Sequence, residues 1–181
     1  MMRIESNKFK NGYLKYDHLL GHEFIHGEQD CYEILRKVYK DNLEIELTSY
    51  ARPDDWWIQN MNLYTDNFVN EGFFLVDIKS VQDINLMDVL LVALPDSRSP
   101  TYTVPNHCLI YVGEGKVLHH RLGKLSQVIP YKGMYRNFTT HVLRHKDVPK
   151  IEEHRVQKLD LMDYILPHKR ELLMGAQNDK S

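Results

Sequence analysis

The pattern of apolar and polar residues predicts an amphipathic helix that begins at Cys31. After this cysteine, apolar side chains recur with the spacing of one helix face, at Ile34, Leu35, Val38 and Tyr39. Turn-forming residues follow at Asp41 and Asn42, and they end the predicted helix. Gly27 and a short polar run come before it, so a loop delivers Cys31 to the first turn.

A second helix is predicted after Pro53. Proline suits the first turn of a helix, and the acidic Asp54 and Asp55 suit the positive end of its dipole. The apolar residues that can share one face of this helix are Trp56, Trp57, Met61, Tyr64, Phe68 and Val69. The helix is expected to end near Gly72. We expect these apolar residues to lie in the core, and another role stays open only for the two tryptophans.

From residue 73 the apolar pattern changes to that of β-strands. Strands are predicted over residues 73–78, 87–94, 107–112, 116–121 and 138–144. Helices followed by a meander of antiparallel strands are typical of an α+β domain, so we predict one such domain over residues 1–148. After Pro149, the spacing of apolar residues predicts a helical C-terminal extension over residues 149–181.

Length and composition limit the classes of protein that fit. The chain has 181 residues, of which 43% are hydrophobic and 27% charged, as in a globular domain with a small appendage. Its formal net charge of −2 argues against a nucleic-acid partner. The longest apolar run, residues 89–94, is too short to span a membrane. The N-terminus lacks the apolar stretch of a secretory signal, so we expect the protein to be made in a reducing cytoplasm.

Cys31 is the first candidate for chemistry. The start of a helix presents free N–H groups and the positive end of the helix dipole, and this position lowers the pKa of a thiol. A thiolate attacks carbonyl carbon atoms, so Cys31 is a candidate nucleophile. The alternative is a small buried hydrophobic residue, which is the usual role of a lone cysteine. Cys31 and Cys108 are the two cysteines of the chain, too few for a disulfide scaffold.

Two histidines are candidates to assist Cys31, because a cysteine nucleophile needs an imidazole and the imidazole needs a group that orients it. His107 opens a predicted strand, and His119 lies in the returning strand. If residues 113–115 form a three-residue turn, these two histidines share a face within reach of each other, whereas a two-residue turn puts His120 there. We favour the three-residue turn, because its last residue is a glycine.

The same register places Cys108 on the opposite face beside Ile110, where we expect a buried and unreactive thiol. Cys31, His107 and His119 also fit a zinc site, because cysteine and histidine are the usual ligands of zinc. No fourth ligand and no paired CxxC motif stands at a suitable spacing. We therefore predict a site without a metal or another cofactor.

These residues resemble the NlpC-type cysteine peptidases, papain-like hydrolases that cut peptide bonds in the stem peptides of bacterial cell walls. The first motif of the family, an aromatic residue between glycines followed by Asp-Cys, corresponds to Gly21, Phe24, Gly27, Asp30 and Cys31. Its second motif, a histidine that opens a strand running to Tyr and Gly, corresponds to residues 107–113. A polar residue further along, here His119, completes the site. The resemblance spans about residues 15–145 and implies an α+β, papain-like fold.

The resemblance also implies a mechanism, the hydrolysis of an amide through a thioester. Cys31 attacks the carbonyl carbon, His107 acts first as base and then as acid, and His119 orients His107. The backbone N–H of Cys31 is the expected donor to the oxyanion, because it lies at a helix start.

The substrate pocket is expected to differ from that of the cell-wall enzymes. Many of them have a tyrosine at the position of Phe24 and a Ser-Gly pair after the cysteine, which this chain lacks. Tyr13, Tyr16 and Tyr32 are candidates to replace the missing hydroxyl. Asp30 binds a free amine of the substrate or, as an equal alternative, caps the helix. We predict Asp30, Phe24 and Tyr32 as substrate-binding residues.

A narrower resemblance links the chain to the K group of bacteriophage tail assembly proteins. It rests on residues 30–32, 36–39, 56–57 and 117–126. It implies other tail-tip proteins as partners, the host cytoplasm and then the virion tail tip as locations, and a peptide substrate from peptidoglycan or from a tail protein. The alternative is a non-catalytic tail-tip structural or assembly protein that keeps the peptidase fold, with Cys31, His107 and His119 as a zinc site.

Overall fold

The computed structural model describes residues 14–98 and 104–149. The predicted N-terminal arm and the predicted helical extension after residue 149 lie outside the described residues. The domain boundary at residue 148 therefore stays a prediction.

Helix α1 (Cys31–Leu43) confirms the first predicted helix. It begins at Cys31 because the side chain of Asp30 accepts hydrogen bonds from two backbone N–H groups of the first turn. It ends at Leu43, next to Glu44, whose left-handed backbone (φ 60°) turns the chain away. The apolar stripe is buried as predicted, and Leu35, Val38 and Tyr39 have no exposed surface.

The second predicted helix is wrong over most of its length. Residues 54–60 form turns, and only the six residues of α2 (Leu63–Phe68) are α-helical. Asp55 and Asn60 both have a φ of 55°, which a continuous right-handed helix does not allow. Trp56, Tyr64 and Phe68 lie in the core as expected. Val69 does not, since 73% of its surface is exposed.

The described residues contain one antiparallel sheet of six strands. In chain order these are β1 (Phe73–Leu75), β2 (Val89–Val92), β3 (His107–Gly113), β4 (Lys116–His119), β5 (Gln127–Pro130) and β6 (Thr139–His145). Their order across the sheet is β1-β6-β2-β3-β4-β5. All five predicted strands are present, although the first ends at residue 75. The sequence pattern does not predict β5 or the short helix α3 (Met134–Asn137).

Both faces of the sheet are buried at its central strands. The face that α1 covers consists of Val89, Leu91, Cys108, Ile110 and Leu118. The opposite face consists of Leu90, Val92, Leu109, Tyr111 and Val117. Because side chains alternate along a strand, Cys108 points toward α1, and His107 precedes it as the first residue of β3.

The β3–β4 hairpin has a two-residue turn of Glu114 and Gly115, so the predicted three-residue turn is wrong. The φ angles of these residues, 53° and 69°, are those that two-residue hairpin turns favour. Gly113 and Lys116 pair next to the turn, and a β-bulge at Val112 separates this pair from the next one, Tyr111 and Val117. This is the register that the three-residue turn predicts, because the unpaired residue in the bulge shifts the strand pairing as a third turn residue would.

These elements confirm the predicted α+β, papain-like fold, in which a helix that starts with a cysteine packs on an antiparallel sheet. Among the described residues, no helix combines the length and the apolar character that crossing a membrane requires.

Candidate active site

A cleft of about 600 Å³ lies at the N-terminal end of α1. Its walls come from the start of α1, from residues 52–57 together with Tyr64, and from the residues on either side of the loop that leads into β3. Four of the six predicted site residues line it: Phe24, Asp30, Cys31 and His107. The cleft therefore brings together residues from both motifs, which are distant in sequence.

Cys31 is the first residue of α1, and 9% of its surface is exposed. Its Sγ lies 3.1 Å from the hydroxyl of Tyr64. Hydrogen bonding to Cys108, followed by the charge and the hydrogen bond of His107 and by the hydrogen bond of Tyr64, lowers the pKa of the Cys31 thiol despite its burial. These neighbouring side chains thus favour a thiolate at the first residue of the helix.

Cys108 is buried, as expected, with 1% of its surface exposed, but it also contacts the candidate nucleophile. Burial and the neighbouring Cys31 raise the pKa of the Cys108 thiol, so it keeps its proton. It serves as a donor to Cys31. The alternation of side chains along the strand correctly places Cys108 on the sheet face opposite to His107. It does not predict that α1 covers the face on which Cys108 lies.

His107 and His119 contact each other, which confirms the predicted register. Nε2 of His107 lies 3.0 Å from Nδ1 of His119, and both side chains are buried. Since Nε2 of His107 is engaged by His119, Nδ1 is the nitrogen left to face Cys31. His107 thus contacts His119 through one nitrogen, and its charge and hydrogen bonding also lower the pKa of the Cys31 thiol.

The environment of His119 keeps its ring neutral. Burial, followed by the charge of His107, lowers the pKa of His119 to about 3, so its ring is neutral near neutral pH. When His107 carries protons on both nitrogens, its Nε2–H must donate, and neutral His119 then accepts at Nδ1 and carries its own proton on Nε2. Nε2 of His119 is buried and has no hydrogen-bond partner within residues 14–98 and 104–149. The ring packs edge to face with Tyr135, with centroids 4.9 Å apart.

Both carboxylate oxygens of Asp30 accept hydrogen bonds. One oxygen accepts from the N–H groups of Tyr32 and Glu33, and the other accepts from the N–H of Gly27. The guanidinium of Arg52 donates twice to this second oxygen, at 2.9 and 3.2 Å. Of the two roles left open for Asp30, the structure favours the helix cap, because five donors already surround the carboxylate.

The other two predicted substrate-binding residues lie in different places. Phe24 lines the cleft, and its ring packs edge to face with His120, with centroids 5.3 Å apart. Tyr32 lies in the core with 2% of its surface exposed, and its hydroxyl donates to the carbonyl of Thr48. Arg52 stacks over its ring. As placed, Tyr32 supports the start of α1 and does not line the cleft.

Tyr64 is the site residue that the sequence motifs do not identify. The hydroxyl that contacts Cys31 comes from α2. Of the candidate tyrosines, Tyr32 donates its hydroxyl to the carbonyl of Thr48, and Tyr13 lies outside the described residues. The sequence signal available for Tyr64 is its place in the apolar stripe of the second predicted helix, and that signal indicates a core residue. Its contact with Cys31 joins residues 33 positions apart, which no local pattern reveals.

The zinc alternative does not match the geometry of these side chains. Within the described part of the chain, no group of three His, Cys, Asp or Glu side chains is arranged to hold a metal ion. The reason is visible at the candidate ligands: Nε2 of His107 and Nδ1 of His119 face each other at hydrogen-bond distance and not a common point beside Cys31.

Comparison with known proteins gives curated relatives of one kind. No protein-family model matches the chain. Tail tip assembly protein K of Escherichia phage lambda is 37% identical over 129 residues, which are 71% of this chain and 60% of that protein. Tail tip assembly protein K of Escherichia phage N15 is 28% identical over 136 residues, 72% of this chain and 50% of that protein. The chain thus spans only about half to three fifths of the length of these relatives.

Solved structures that resemble the chain include NlpC2 from Trichomonas vaginalis and an NlpC/P60 family protein from Bacillus cereus. The first has a TM-score of 0.46 and 21% identity, over 71% of this chain and 42% of that one. The second has a TM-score of 0.44 and 18% identity, over 70% of this chain and 36% of that one. The sequence matches confirm the resemblance that the motifs predict: over the matched segment, this chain is related to the phage tail tip assembly protein K group.

Proposed function

We propose that this protein is a cysteine endopeptidase of the phage tail tip, which hydrolyses amide bonds through Cys31, His107 and His119. The observation that carries the proposal is that Cys31 and His107 line one cleft, with His119 in contact with His107. His107 lowers the pKa of the Cys31 thiol. His119 orients the ring of His107 through the 3.0 Å contact between their ring nitrogens. A buried structural cysteine has no need of this arrangement.

The proposed reaction has two stages. The Cys31 thiolate attacks the carbonyl carbon, and the carbonyl oxygen takes the negative charge. The backbone N–H of Cys31 stabilises that oxyanion, because the first residues of a helix have no intrahelical acceptor for their N–H groups. His107, protonated at Nδ1, gives this proton to the leaving amine, so the C–N bond breaks and a thioester on Cys31 remains.

Water completes the reaction. Neutral His107 takes a proton from water at Nδ1, the hydroxide adds to the thioester carbon, and the C–S bond breaks to release the acid. Cys31 leaves as a thiolate and His107 is again protonated. Throughout, neutral His119 accepts from Nε2–H of His107 and holds the ring plane fixed.

The proposed substrate is a peptide amide, either in a peptidoglycan stem peptide or in another tail protein that is processed during assembly. The motifs support the first, and the relatives named tail tip assembly protein K support a tail-tip setting. We accordingly propose other tail-tip proteins as partners, with the host cytoplasm during assembly and the virion tail tip as locations.

Cleavage of defined peptides tests the proposal. Wild type and Cys31→Ala are incubated separately with purified wall peptides and with tail proteins, and the products are identified by mass spectrometry. We expect wild type to cut one of the two substrate classes and Cys31→Ala to cut neither. If wild type leaves both intact, the peptidase proposal fails.

A second function, non-catalytic assembly, has two observations in its favour. Cys31 has only 9% of its surface exposed, and the matched relatives are named for assembly. In that case the fold is retained as a scaffold, and Cys31→Ala leaves tail assembly unchanged. A strong assembly defect in Cys31→Ala, together with peptide cleavage by wild type, argues against the scaffold.

A further inference from the structure

We infer that Tyr64 is a further catalytic residue, whose hydroxyl donates a hydrogen bond to the sulfur of Cys31 in its thiolate form. This inference rests on the proposed function, because it assigns a role at the same nucleophile. It adds a donor from α2 to a site otherwise built from α1 and the β3–β4 hairpin.

The contact itself is short and buried. The hydroxyl of Tyr64 lies 3.1 Å from Sγ of Cys31, and the tyrosine has 4% of its surface exposed. Both residues line the cleft. Tyr64 therefore touches the atom that forms and breaks the bond to the substrate.

The direction of the hydrogen bond follows from the chemistry of the two groups. Burial raises the pKa of the Tyr64 hydroxyl well above its ordinary value, and the negative charge of the Cys31 thiolate adds to this effect, so Tyr64 keeps its proton. The pKa of the Cys31 thiol, by contrast, is lowered. The hydroxyl is consequently the donor and the sulfur the acceptor, and a hydrogen bond to an ionised acceptor is stronger than one between neutral groups.

The ring of Tyr64 is fixed by aromatic neighbours on three sides. Its centroid lies 5.4 Å from that of Trp56, 5.6 Å from that of Phe68 and 6.1 Å from that of Tyr32. The packing holds the hydroxyl in place before any substrate arrives, so donation to the thiolate costs little further reorganisation.

The donor acts at two points of the proposed cycle. In the free enzyme it stabilises the thiolate and so increases the fraction of protein that can attack. During attack the negative charge leaves the sulfur for the carbonyl oxygen, and the hydrogen bond weakens. When the thioester breaks, the sulfur leaves as a thiolate and Tyr64 donates to it again, which makes Cys31 a better leaving group.

Tyr64→Phe tests the inference, because it removes only the hydroxyl. The rate of Cys31 alkylation by iodoacetamide is measured against pH, with the modified cysteine identified by mass spectrometry. We expect the midpoint of the Tyr64→Phe profile to move to higher pH, and the rate below the wild-type midpoint to fall about tenfold. An unchanged profile overturns the inference.

Tyr39→Phe is the matched control. Tyr39 is also fully buried in the same core, and its hydroxyl donates to the carbonyl of Met87, away from Cys31. Its profile is expected to match that of wild type, and an equal shift in both variants overturns a specific role for Tyr64. If Tyr64→Phe does not fold, 3-fluorotyrosine at position 64 keeps the hydroxyl and makes it a stronger donor. We then expect faster alkylation at low pH, and an unchanged rate overturns the inference.

The same assay separates the two proposals. If Cys31 in wild type reacts no faster than Cys108, the nucleophile itself is wrong and the Tyr64 role falls with it. If wild-type Cys31 reacts fast and Tyr64→Phe equally fast, only the role of Tyr64 is overturned.

Discussion

Nε2 of His107 lies 3.0 Å from Nδ1 of His119, although the two residues belong to different strands. A bulge at Val112 sets the register that brings them together. The buried His119 stays neutral, and its contact with Nε2 of His107 leaves the other nitrogen of His107 for Cys31. The orientation of the proposed base thus depends on a strand pairing and on the burial of one imidazole.

Replacing His119 is expected to lower turnover without abolishing the fold. His119→Leu removes the acceptor and should lower kcat by about a hundredfold, the lower end of what general acid–base catalysis contributes. His119→Asn keeps a side-chain oxygen acceptor and should retain more activity than His119→Leu. Peptide cleavage rates measure both, and equal rates in the two variants contradict the orienting role.

Acid is expected to destabilise the protein through His119. Its pKa is about 3 in the folded protein and near 6.5 in the unfolded chain, so the unfolded state binds more protons as the pH falls below 6.5. Proton binding by His119 in the unfolded state should lower the free energy of unfolding by at most about 2 kcal/mol at pH 5. Melting temperatures at pH 7 and pH 5 measure it, with His119→Asn as the reference.

His120 and His145 titrate in the same direction, since burial lowers the pKa of both. They remain in His119→Asn, so the difference between that variant and wild type isolates His119. We expect the melting temperature of wild type to fall more steeply with acid. Parallel curves contradict the assignment of a neutral, buried His119.

Arg52 is expected to be essential for the stability of the start of α1. Its side chain is 5% exposed and pairs with Asp30 and Glu33, whose side chains are 3% and 8% exposed. Arg52→Ala leaves the buried carboxylate of Asp30 without its cation, while Glu33 keeps its ion pair with Arg36. Removing one partner of a buried ion pair typically costs about 3–5 kcal/mol. Denaturant unfolding measures the loss.

Arg98→Ala is the control for Arg52. Arg98 pairs with Asp55 and Asp96, but half of its side chain is exposed, and exposed ion pairs contribute little to stability. We expect a near-unchanged midpoint of unfolding for Arg98→Ala. Similar losses in the two variants contradict the distinction that burial makes.

Cys108 is expected to tune Cys31. Cys108→Ala removes a donor to the thiolate, so the alkylation of Cys31 should slow several-fold at a pH below its midpoint. Cys108→Ser keeps a donor and should stay closer to wild type. Site-resolved alkylation compares the three proteins, and a faster reaction in Cys108→Ala contradicts this role.

Local patterns in the sequence predict the parts of the site that depend on local structure. The helix start at Cys31 follows from its cap and its apolar stripe, and the shared face of His107 and His119 follows from strand alternation. The second helix fails because Asp55 and Asn60 adopt left-handed backbones, which their residue types allow but do not require.

The remaining features depend on contacts between distant segments. The approach of Tyr64 and of Cys108 to Cys31 depends on which face of the sheet α1 covers. The ion pair of Asp30 and Arg52 joins residues 22 positions apart. None of these three contacts has a signature in spacing or composition, because each follows from tertiary packing.

The central claim is that His107 maintains Cys31 as a reactive thiolate near neutral pH. Site-resolved alkylation of wild type and His107→Ala at pH 7 tests it most directly, with Cys108 as the internal reference. The account predicts that Cys31 reacts much faster than Cys108 in wild type and loses that advantage in His107→Ala. Equal, slow modification of both cysteines in wild type would contradict it.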